Sequence, residues 1–200
     1  RQNTCCATVL GMSGENSVRL WVPILKSVAC DDGRIRVEGI ATDERLDLQD
    51  EVVKAVHDAL EYSRAGWTKF DYDHGANHVG DVTEVCLMDG PEIASHFRDE
   101  LNGQPVVGKG IYAAGYVLSI GDPALAPEDL KKAHFYLKSG SRMGFSIHGP
   151  VRERKQFIDK SGKSYTVAVP KFYSRIAITP HPVNMGAPCR MVKSLHDDFT

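Results

Sequence analysis

The chain has 200 residues, 42% of them hydrophobic and 25% charged, with a formal net charge of −2. That length can bury a core without disulfide or metal staples. The near-neutral balance gives no general pull toward nucleic acid or anionic lipid, and no apolar run is long enough to span a membrane.

One domain is expected, residues 18–184, between a flexible polar arm (1–17) and a polar tail (185–200). Arg1 is not an initiator residue, so the chain reads as trimmed or processed. A lost signal segment would leave no trace. The five cysteines (Cys5, Cys6, Cys30, Cys86, Cys189) are odd in number and irregular in spacing. They match no zinc pattern and read as reduced thiols of a cytosolic protein.

In chain order, Val18 to Val28 is rich in β-formers, with Pro23 marking an edge or a bulge. Asp31-Asp32-Gly33 turns the chain into an alternating strand, Arg34 to Ala41, completing a hairpin. From Asp50 to Ser63, Val52, Val53, Val56, Ala59 and Leu60 recur at helical spacing, with Asp47 or Asp50 as caps. Trp67 to Asp73 is a strand closed by His74-Gly75, and Val79 to Leu87 is the next. A short helix follows over Pro91 to Leu101, with proline in its first turn. Val106 to Ile120 is β-rich, and Gly108, Gly110 and Gly115 mark bends in it. Pro127 opens a helix to about Lys138. The end of the chain holds a strand around Ser146, a charged hairpin turning at Ser161-Gly162, a strand over Tyr165 to Val169, and a last strand over Phe172 to Thr179. Six to eight strands with intervening helices predict a mainly β (α+β) fold. Its sheet is a bent or closed barrel surrounded by helices.

The stretch Ser141-Arg142-Met143-Gly144-Phe145-Ser146-Ile147-His148-Gly149 sets a serine among glycines. Glycine lets a substrate backbone approach closely, but a serine hydroxyl is inert until a base takes its proton. His74, in Phe70-Asp71-Tyr72-Asp73-His74-Gly75, is the candidate base. Strand alternation puts Tyr72 and His74 on one face and Asp71 and Asp73 on the other, so Asp73 is not expected to orient His74. His148 shares the Ser146 face and is a rival base or a substrate contact. His74 and His78 would suggest zinc if helical, but Gly75-Ala76-Asn77 reads as a turn.

Asp71-Tyr72-Asp73-His74 followed by Val79-Gly80-Asp81-Val82, with the later Gly144-Phe145-Ser146-Ile147 and Gly149, resembles the capsid maturation (prohead) proteases of tailed bacteriophages. It is similar, more distantly, to the herpesvirus assemblins. Asp47-Leu48-Gln49-Asp50 before a helix, Leu137-Lys138-Ser139-Gly140 before the serine strand, and Ile176 to Thr179 followed by Pro182-Val183-Asn184 extend the resemblance over about residues 39–184.

The resemblance implies an assemblin-like barrel and a serine endopeptidase without cofactor or metal. Ser146 would be its nucleophile and His74 its general base. Backbone N–H groups near Ser146, or Arg142 or Arg175, would hold the oxyanion. The substrates implied are scaffold and major capsid proteins, with self-cleavage, inside the immature head in the host cytoplasm. A homodimer is the expected state. The place where those families carry a third catalytic group holds Arg175, which cannot accept an N–H from His74; either Asp47 or Asp50 substitutes, or the pair acts alone. Two other readings stay open: a non-enzymatic scaffold- or capsid-binding assembly module on the same fold, and a metal hydrolase built on His74, His78 and an Asp.

Overall fold

A computed structural model describes residues 17–47, 50–101, 105–141 and 143–180. The arm at 1–16, Arg142, Pro182-Val183-Asn184 and the tail at 185–200 lie outside the described residues, as do the side chains of residues 17–28.

The strands are β1 (Ser17–Ala29), β2 (Ile35–Asp43), β3 (Glu51–Val53), β4 (Lys69–Tyr72), β5 (His78–Asp89), β6 (Lys109–Val117), β7 (Gly144–Ile158), β8 (Ser164–Pro170) and β9 (Arg175–Thr179). The helices are α1 (Glu61–Arg64), α2 (Gly90–His96), α3 (Arg98–Leu101) and α4 (Glu128–Lys138). Pairing runs β1-β2-β6-β5-β4-β9-β7, and β7 returns to β1, so these strands close into a barrel. β8 and β3 extend from the far half of β7. All ring pairings are antiparallel except β4 with β9. The expected mainly β barrel with helices is therefore the observed architecture.

Closure depends on two long strands that change partners part-way. Residues Ser17 to Pro23 of β1 pair with β7, and Ile24 to Ala29 pair with β2, across a bulge after Ile24. Pro23 sits at the handover, where a missing N–H costs the ladder least. β7 pairs with β9 through His148 and with β8 from Val151. Gly149 is the bend between these halves. A Cβ there would lie 2.1 Å from the Phe172 carbonyl oxygen, so only glycine fits.

The barrel interior is filled by alternate residues. Phe70 and Tyr72 of β4, Phe145 and Ile147 of β7, and Ile176 and Ile178 of β9 all belong to one buried cluster. Phe70 stacks on Phe145 with ring centroids 5.4 Å apart. Burying each such ring contributes roughly 1.5–3 kcal/mol. Gly115 of β6 makes room for this pair, since a Cβ there would lie 2.8 Å from Phe70 Cε2. Leu130, Ala133 and Leu137 of α4 join the same cluster and cover the barrel beside β4 and β5. On the other face of β2, β5 and β6, Ile40, Met88 and Tyr112 pack with Ile93, Phe97 and Leu101 of α2 and α3.

One expected element is corrected. Residues 50–63 are not one helix: Glu51–Val53 form β3, parallel to β8, and only a 3-10 turn (His57–Leu60) and α1 are helical. β-branched Val52 and Val53 have modest helix propensity, and the open edge of β8 offers them a ladder that continues to Lys54 N–H and the Ala168 carbonyl, 2.9 Å apart. The strand around Ser146 and the first arm of the charged hairpin are also one continuous strand, β7. Cys30 and Cys86 are free thiols.

Candidate active site

The alternation that sends Phe145 and Ile147 inward sends Ser146 and His148 to the outside of the barrel wall. Ser146 is opposite Ala177 of β9, and Ala177 is opposite Asp71 of β4. One outward row therefore reads Asp71, Ala177, Ser146. The adjacent row reads Lys69, Arg175, His148. Ala177, fully buried, is the small residue in the middle of the first row.

His74 reaches this row because β4 stops at Tyr72. Asp73 and His74 both have positive φ, 50° and 60°, and the Gly75 N–H donates to the Tyr72 carbonyl at 2.8 Å. This is the φ pattern of a type I′ turn. Left-handed backbone is uncommon outside glycine but enriched in Asp and His. The turn folds the chain back over the sheet, so strand alternation ends before His74. The expectation that His74 faces away from Asp71 is corrected: Asp71, His74, His148 and Arg175 line one cleft of about 200 Å³.

His74 Nε2 lies 2.8 Å from Ser146 Oγ, although the two residues are 72 positions apart in the chain. Ser146 is buried, 3% exposed, and meets the cleft through the His74 ring that lines it. In the arrangement that would activate the serine, Oγ–H donates and Nε2 accepts. The His148 ring centroid is 6.4 Å from that of His74, and Ser174 Oγ donates to the His148 carbonyl oxygen at 2.9 Å. His148 is thus a wall of the cleft beside His74.

Several contacts hold the turn. Asp71 Oδ1 accepts the His74 backbone N–H at 2.9 Å. Thr179 Oγ1 donates to Asp73 Oδ1 at 2.6 Å, and the Asp73 N–H donates to the Ile178 carbonyl at 3.0 Å. Arg175 Nη1 donates to the Gly75 carbonyl at 3.1 Å. Burial pushes the Asp71 carboxyl up to about 6; the His74 N–H and the Arg175 charge pull it back only in part.

No protein-family model, curated protein or solved structure matches this chain.

The other expected site residues divide clearly. Asp47 accepts the Glu51 N–H through Oδ1 at 2.9 Å, and Asp50 pairs with Lys163 at 2.6 Å. Both belong to the β3–β8 edge, and neither lines the cleft. Arg142 lies outside the described residues. Arg175 does line the cleft. The backbone N–H groups beside Ser146 are poor oxyanion donors, because β7 is paired there on both sides, with Trp21 and with Ala177. For the metal reading, the described residues hold no group of three or more His, Cys, Asp or Glu arranged for an ion. Sequence reasoning did not single out Asp71 as a site residue; the Asp-x-x-His spacing across a turn was its one available signal.

Proposed function

We propose that the chain is a serine endopeptidase of the capsid maturation kind, cleaving scaffold and capsid proteins, and itself, during head assembly. The observation that carries this reading is the 2.8 Å contact between His74 Nε2 and Ser146 Oγ at the wall of a cleft. A hydroxyl and an imidazole within hydrogen-bond reach are the minimum for nucleophilic acyl transfer. The order and spacing of the motifs around them support the phage resemblance.

On this reading Ser146 Oγ attacks the scissile carbonyl carbon as His74 Nε2 takes its proton. The developing oxyanion meets the Arg175 guanidinium, the cationic side chain in the cleft. His74 then returns the proton to the leaving amine. A water, deprotonated by the same ring, releases the acyl group and restores the hydroxyl. The partners are scaffold and major capsid proteins within the immature head in the host cytoplasm, and the enzyme works as a homodimer.

The test is Ser146→Ala, followed by electrophoresis of a co-expressed scaffold or capsid substrate. Processing should stop while the circular dichroism spectrum and melting curve stay as in wild type. Unchanged cleavage removes Ser146 from the mechanism. The non-enzymatic assembly module on this fold draws support from Arg175, which stands where relatives carry a third catalytic group. It is favoured if the intact protein binds coat or scaffold but resists fluorophosphonate.

A further inference from the structure

We propose that Asp71 is the positioning residue of the Ser146–His74 pair, acting through the main-chain N–H of His74. The proposal rests on the reading of that pair as nucleophile and base. It gives an acid from the neighbouring strand the orienting task that Arg175 cannot perform.

The argument starts from strand geometry. Asp71 and Ser146 share a row, separated by β9. Adjacent strands are about 4.8 Å apart, so their backbones stand roughly 10 Å from one another. Had β4 continued straight, residue 74 would lie about 10 Å further along, since each strand residue advances about 3.3 Å. The imidazole would then miss the serine. The reverse turn brings His74 back toward the Asp71–Ala177–Ser146 row, so that its Nε2 lies 2.8 Å from Ser146 Oγ. The bond that ties position 74 to position 71 is Asp71 Oδ1 with the His74 N–H, 2.9 Å.

Asp71 is an unusual residue to find there for structural reasons alone. It is 1% exposed, and its second carboxylate oxygen, Oδ2, is buried without a hydrogen-bond partner. A buried carboxylate that satisfies one oxygen and strands the other is costly. It sits beneath two consecutive left-handed non-glycine residues, themselves strained. Asparagine at position 71 would cap the same N–H without a charge, so the tie itself needs only an acceptor of this length.

The test compares Asp71→Asn with Asp71→Ala. Asparagine keeps an acceptor at the Oδ1 position; alanine removes it. Two readouts are taken on the full chain: the fluorophosphonate labelling rate at Ser146, followed by mass spectrometry, and hydrogen exchange of the His74 amide by NMR. Asp71→Asn should label within about threefold of wild type, and Asp71→Ala about 10²-fold more slowly, the loss typical of a 1 Å misplacement. The His74 amide should stay protected in the first variant and exchange freely in the second. Equal labelling by Asp71→Ala and wild type overturns the role of Asp71 and leaves the catalytic pair standing. Equal losses in both variants also overturn it, because the charge and not the tie would then matter. A wild type that does not label at all overturns the catalytic pair, and the positioning role with it. If Asp71→Ala does not fold, Asp71→Leu replaces it, close to asparagine in shape and without an acceptor for the His74 amide.

Discussion

Replacing Gly149 by alanine tests whether the bend of β7 sets the register of the site. The added Cβ would stand 2.1 Å from the Phe172 carbonyl oxygen, 3.1 Å from its carbonyl carbon and 3.2 Å from Tyr173 Cα. All three are backbone atoms, so no rotamer change relieves the overlap, and the two segments must part by about 1 Å in a close-packed interior. The 171–174 segment cannot yield freely. The Lys171 N–H donates to the Pro150 carbonyl at 2.8 Å, the Ser174 N–H to the His148 carbonyl at 2.9 Å, and Thr68 Oγ1 to the Tyr173 carbonyl at 2.7 Å. Overpacking costs about 1–3 kcal/mol, and each weakened hydrogen bond about 1 kcal/mol, so a loss of about 2–4 kcal/mol is expected. In urea, with a slope of about 2 kcal/mol/M, the midpoint should fall by about 1–2 M. Because Arg175 follows this segment directly, fluorophosphonate labelling of Ser146 should slow as well. A midpoint shift below about 0.3 M, worth about 0.6 kcal/mol, would refute the claim that β7 bends there only because residue 149 lacks a side chain.

Asp71 predicts a pH dependence of stability with a definite sign. Its carboxyl rises from 3.8 to about 6 in the folded protein, chiefly through burial. Between those values the folded chain holds a proton that the unfolded chain has released, so stability falls as pH rises through the window, and the whole loss is present above pH 6. The shift corresponds to about 3 kcal/mol. Urea midpoints across the window should slope more steeply in wild type than in Asp71→Asn, and parallel curves would show that Asp71 is not the titrating group. Tyr173→Phe removes a buried hydroxyl that has no hydrogen-bond partner while keeping the ring. Thermal melts should give unchanged stability or a gain of up to about 1 kcal/mol, whereas a comparable loss would reveal a partner for that hydroxyl.

How much of this protein could be read from its residues follows from the range of the forces involved. Alternation in Phe145-Ser146-Ile147-His148 already places serine and histidine on one face and the core residues on the other, because side chains in a strand alternate whatever the strand pairs with. The α4 helix and the Ser161-Gly162 hairpin turn are equally local, and both are present over the expected residues. The Val52-Val53 segment has a spacing that suits a helix as well as a short strand, and only the free edge of β8 decides between them. Asp47 and Asp50 are site candidates through the phage resemblance alone, and the fold puts both at the β3–β8 edge.

By itself, then, the sequence determined the strands other than β3, the shared face of Ser146 and His148, and the histidine at the end of β4. It could not determine that β1 joins β7 to shut the barrel, that β9 lies between β4 and β7, or that two left-handed residues turn His74 back toward Ser146. Those outcomes depend on pairings between distant segments and on a carboxylate holding an amide three residues away. β9, paired with both, sets the distance from β4 to β7, and the turn sets the direction of the imidazole. The contact between residues 74 and 146 exists only when both hold together.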